Sequence, residues 1–79
     1  MDNYGKLLQI MANVFEVEIG HVDENSSKET IINWDSVQQM FLIISLEEAF
    51  NVRLSDEEAV KLTSFMMIKS SLEKKGIQF

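Results

Sequence analysis

The sequence predicts an all-α fold, a four-helix bundle with three longer helices, one short helix and a long loop between the first two. Three observations predict it. Apolar residues recur at helical spacing in three separate stretches. Two starts carry a short polar cap with Glu or Gln three residues on. The 79 residues contain three glycines and no proline.

The first helix is expected at about 3–16, where Tyr4, Leu7, Leu8, Met11, Val14 and Phe15 fall on one face and Asp2 or Asn3 caps the start. Val17 and Ile19 then alternate with Glu16 and Glu18, the pattern of a short extended piece. Gly20 and the polar run Asp23 to Lys28 read more simply as loop. A loop reaching Asp35 is long for so small a chain, and Val22, Ile31, Ile32 and Trp34 are available to pin it down. Trp34 also sits one residue before a cap, the place of a hydrophobic staple.

The second helix, at 36–50, organises the rest. Asp35 is a good N-cap and Gln38 completes a capping box, which holds Ser36 at the exposed mouth of the helix. Stepping about 100° per residue, Leu42, Ile43, Leu46, Ala49 and Phe50 gather on one side and Val37, Met40, Phe41 and Ile44 on another. A helix at the rim of a small domain needs one apolar stripe, so the second either packs on a further helix or receives a partner protein. Ser55 with Glu58 forms another capping box and opens a short third helix at about 56–61. Thr63 caps a fourth at about 64–75, with Phe65, Ile68 and Leu72 on one face, Lys74 and Lys75 suited to its C-terminal dipole, and Gly76 in the place of a C-cap glycine.

The whole of 1–79 reads as a single domain without repeat or linker. With 46% hydrophobic and 25% charged residues it has the composition of a folded globule. A net charge of -6 opposes binding to nucleic acid or an anionic membrane and favours basic protein surfaces. Twelve acids against three bases up to Glu58 give -9, and four lysines against Glu73 beyond it give +3, so the acidic part contains the Ser36 helix. The absence of cysteine excludes a disulfide scaffold and a thiolate metal site, and any thiol chemistry must be imported. The longest apolar run, Met40 to Ile44, is too short to span a bilayer, and the N-terminus lacks a signal-peptide pattern. A cytoplasmic monomer is the expectation.

Self-contained catalysis finds no support. Asp35 and Ser36 are adjacent at a helix start and cannot stand as base and nucleophile, no G-x-S-x-G elbow is present, and the single histidine, His21, lies in the loop. Asp23, Asn25 and Ser27 have alternate spacing, but an EF-hand beginning there would need Gly at Lys28 and Glu at Trp34. No specific metal site is expected. Glu47, Glu48, Glu57 and Glu58 read as a solvated acidic surface. Met11, Met40, Met66 and Met67 read as core or half-buried filler, flexible enough to suit a core that opens for a guest chain.

Asp35-Ser36-Val37, followed by Leu46-Glu47-Glu48-Ala49-Phe50 and Leu54-Ser55-Asp56-Glu57-Glu58, resembles the acyl carrier protein family over nearly the whole chain. The Trp34-Asp35-Ser36 form looks like the discrete carriers of specialised pathways as well as of fatty-acid synthesis. The resemblance implies a non-catalytic carrier with phosphopantetheine, taken from coenzyme A by a phosphopantetheinyl transferase, esterified to Ser36. Asp35 would flank the site for transferase recognition. Acyl groups of fatty-acid, polyketide or related biosynthesis would ride as thioesters, and acyl-activating or condensing enzymes would dock by basic patches. Its alternatives are an aminoacyl or peptidyl carrier, or an unmodified helical module of the same fold that only binds partners. The docking residues nominated by the second stripe are Val37, Met40, Phe41 and Ile44, with Glu48 on the same side and Glu47 at its edge. Two departures bear on docking: Gln38 and Phe41 stand where Asp and Glu are common, so docking leans less on charge, and Val37 replaces the usual Leu.

Overall fold

A computed structural model describes residues 2–79, in which α1 (Asn3–Phe15), α2 (Ser36–Phe50), α3 (Asp56–Val60) and α4 (Phe65–Lys74) are the α-helices and no strand occurs. The fold is an all-α bundle of three longer helices and a short one. Asp2 caps α1 by accepting from Gly5 N–H at 2.7 Å. The helix ends at Glu16, which takes the left-handed conformation at φ 56° and donates its N–H to Ala12 O.

Helices α1 and α2 run antiparallel. The C-terminal end of α1 meets the start of α2, where the Phe15 and Trp34 rings stack at 4.4 Å between centroids, and the Lys6 ammonium lies 4.8 Å from the Phe50 ring at the other end. Between them packs one core, with Leu7, Met11 and Phe15 from α1, Leu42, Leu46 and Phe50 from α2, and Phe65, Ile68 and Leu72 from α4.

The long loop contains no extended strand; a single 3₁₀ turn, Ile19–His21, stands where alternation pointed to one. Val22, Ile31 and Trp34 are buried and pin it, as expected. Ile32 does not: it is 94% exposed. The physical reason is a turn closed by Trp34 N–H to Ile31 O at 3.2 Å, which buries the residues on either side of Ile32 and Asn33 and points the turn outward. The loop is also clipped to the start of α4, through Lys28 N–H to Thr63 O and Phe65 N–H to Ser26 O, both 2.9 Å.

Helix α3 buries none of its residues and is too short to hold itself. Its capping box is complete: Glu58 N–H donates to Ser55 Oγ at 3.1 Å and Ser55 N–H to Glu58 Oε1 at 3.0 Å. Lys75 ties it to the end of α4 with a 2.8 Å ion pair to Glu58. That ammonium, and after it the Ser55 backbone N–H, hold the Glu58 carboxyl at about 2 rather than its ordinary 4.5. A carboxyl depressed by folding stabilises above its unfolded value, and the contribution is lost as pH falls from about 4.5 through about 2. Lys75→Met is therefore expected to lower Tm slightly at pH 7, slightly because the pair is well solvated, with the gap to the parent protein closing as pH approaches 2 in thermal melts.

At α4 the cap is Ser64, not Thr63. Ser64 Oγ accepts from Met67 N–H at 3.2 Å, whereas the Thr63 hydroxyl turns to Met67 Sδ. The helix closes in a Schellman motif, with Ile77 N–H on Leu72 O, Gly76 N–H on Glu73 O and Gly76 at φ 96°, where a side chain would be strained.

Candidate functional site

The site is the N-terminal end of α2. Asp35, in extended conformation, accepts from Gln38 N–H at 2.9 Å and so caps the helix. The reciprocal half of the expected capping box does not form. Asp35 N–H goes to Asn33 O at 3.1 Å, and the Gln38 side chain instead donates to Val14 O, one of the carbonyls left orphaned where α1 ends. Asn33 Nδ2 satisfies the next one, Phe15 O, at 2.9 Å.

Gln39 makes the second attachment. Its carbonyl accepts from the Trp34 indole N–H, while its amide donates to Ala59 O at 2.9 Å and Leu62 O at 3.0 Å, where α3 ends. Two adjacent amides thus fasten the first turn of α2 to the ends of two other helices, and the stacked Trp34 closes the turn from below. Amide side chains at an otherwise apolar helix start are the available signal for these links, which the sequence reading of Gln38 as a cap partner and docking residue does not include.

On this fixed base Ser36 is exposed, and its hydroxyl makes no hydrogen bond among the described residues. Asp35 beside it is exposed as well. The two stripes of α2 are separated: Leu42, Leu46 and Phe50 are buried with Ile43 and Ala49 packed against them, whereas Val37, Met40, Phe41 and Ile44 are 45–61% exposed. These four run about 10 Å along the axis from just behind the serine. Glu48 is exposed. Glu47 is half-buried, and its carboxylate accepts from Leu54 N–H at 2.9 Å, so it fastens the turn after the helix. Among the other methionines, Met11 lies in the core and Met66 and Met67 are exposed. His21 is an exposed loop residue. Among the described residues, no imidazole or second carboxylate is in hydrogen-bond contact with Ser36 or Asp35.

The helix start thus presents an exposed serine on a turn fastened to two other helices, with an exposed apolar stripe behind it. No protein-family model matches the chain. Over 61 residues it is 33% identical to the acyl carrier protein of Buchnera aphidicola subsp. Baizongia pistaciae (strain Bp), an alignment covering 72% of this chain and 78% of that protein. The chain belongs to the acyl carrier protein family. Among the described residues no helix is long and apolar enough to cross a membrane.

Proposed function

We propose that Ser36 carries phosphopantetheine and that the protein delivers acyl groups, held on it as thioesters, to biosynthetic enzymes. One observation carries this reading: an exposed hydroxyl with no hydrogen-bond partner among the described residues stands on a helix turn fastened to α1 and α3. In the loading step the Ser36 oxygen attacks the pyrophosphate of coenzyme A, a new phosphate ester forms, and the adenosine half leaves with the broken P–O bond. The serine proton passes to a base of the phosphopantetheinyl transferase, because the carboxylate beside Ser36, Asp35, is turned to Gln38 N–H as the helix cap.

The residues present suit the group. The phosphodiester is an anion, and the positive end of the α2 dipole favours one there. The arm supplies the thiol that a cysteine-free chain lacks. Asp35 keeps the helix start ordered, and Gln38 and Gln39 hold it against the bundle. Val37, Met40, Phe41 and Ile44, with Glu48, form the docking surface, apolar along its centre and acidic at its flank, which suits enzymes with an apolar site rimmed by lysine or arginine. Incubation with coenzyme A and a transferase of broad carrier specificity is expected to raise the mass by one phosphopantetheine, located by peptide mapping on the segment containing Ser36. An unchanged mass overturns the reading.

A further inference from the structure

Ile32 is the most exposed large apolar side chain among the described residues, at 94%, and nothing in the fold uses it. It caps no helix and enters no cluster. It occupies the outward tip of the turn from Ile31 to Trp34, whose ends are buried, so the turn is anchored on both sides and holds the isoleucine out in water. A polar residue would serve a solvated turn equally well. Three residues lie between it and Ser36, a span of at most about 14 Å.

We infer that Ile32 is a recognition residue for the enzyme that acts on Ser36, a second apolar anchor placed before the serine as Val37 and Met40 are placed after it. This rests on the reading of Ser36 given above. The occupant follows from charge. Residues 29–52, which hold Ile32, the serine and the whole exposed stripe, contain four acids and no lysine, arginine or histidine. That field repels the like segment of a second copy and an anionic bilayer, and attracts a protein surface carrying Lys or Arg. Apolar anchors on both sides of the hydroxyl fix its approach to the partner's reacting centre, which charge alone does not, since exposed ion pairs are geometrically loose.

The test is steady-state kinetics of Ser36 loading by a transferase of broad carrier specificity, with coenzyme A saturating. Ile32→Ser is expected to raise KM for the carrier about five- to tenfold at nearly unchanged kcat, the loss of one partly buried isoleucine at an interface. Ile19→Ser, at an isoleucine 46% exposed in the 3₁₀ turn, serves as the control and keeps the parent KM. Both variants keep the parent Tm, because neither side chain belongs to the core. Loading of Ile32→Ser with the parent KM overturns the inference and leaves the role of Ser36 standing. Failure of the parent protein to load overturns both. A dimer of the parent protein that Ile32→Ser dissociates makes a second copy the occupant and also overturns the inference.

Discussion

Ser36→Ala is expected to abolish loading completely, with no mass gain at any enzyme concentration, while the fold and melting temperature stay within about 0.5 kcal/mol of the parent protein. The separation of the two effects follows from the site's construction. The hydroxyl is the attacking atom, and nothing nearby substitutes for it: the neighbouring Asp35 oxygen is occupied by Gln38 N–H, and the chain has no cysteine. Structurally the same hydroxyl is idle, since the cap comes from Asp35 and the fastening from Gln38 and Gln39. The variant also distinguishes a carrier from an unmodified interaction module. A module would keep its partner and lose nothing, whereas a carrier with Ala at 36 binds its transferase and receives no cargo. Intact mass, circular dichroism and a pull-down with the transferase, made on one preparation, decide between them.

Trp34→Ala is expected to leave the protein largely without a cooperative thermal transition. The indole is 5% exposed and stacked on Phe15, and truncating a buried aromatic of that size costs about 3–5 kcal/mol. A single small core supplies net stability of about that size. The damage extends beyond the cavity, because Gln39 loses the donor on its carbonyl oxygen at the point where α2 is joined to the end of α3. Trp34→Phe separates the contributions. It keeps a six-membered ring on Phe15 and removes the indole N–H with the small volume of the pyrrole ring, for an expected cost of about 1–3 kcal/mol, less than full truncation. Urea denaturation of the three proteins provides the check; equal midpoints for Trp34→Phe and Trp34→Ala would assign the whole effect to the hydrogen bond and none to packing.

Those two residues also show how far the sequence could be read. The helices were legible because caps and apolar period agree: Asp35, Ser55 and the Phe65-Ile68-Leu72 face lie where local chemistry demands. The doubled stripe of α2 was legible as well, since a helix apolar on most of its circumference must leave some of that surface without core to cover it. What escaped were contacts between distant segments. Local spacing makes Gln38 the partner of Asp35, yet the amide serves Val14 O, 24 residues away in sequence, because an orphan carbonyl beside it is a stronger claim than a second cap bond. Local spacing makes Trp34 a staple onto its own helix, where it does bond Gln39, and what spacing does not give is its stack on Phe15 of another helix. Ile31 and Ile32 are chemically alike in sequence, and only the turn decides that one is buried and the other is not.

The start of α1 meets the segment after α4. Asn3 Nδ2 donates to Gln78 O at 2.8 Å, and the Phe79 ring lies 6.3 Å from that of Phe50, the last residue of α2. The serine opens that same helix, about 22 Å away along its axis. A fluorophore or surface linker attached at Asn3 or Gln78 therefore sits at the pole remote from Ser36, and immobilised protein will still offer its hydroxyl to an enzyme arriving from the opposite side.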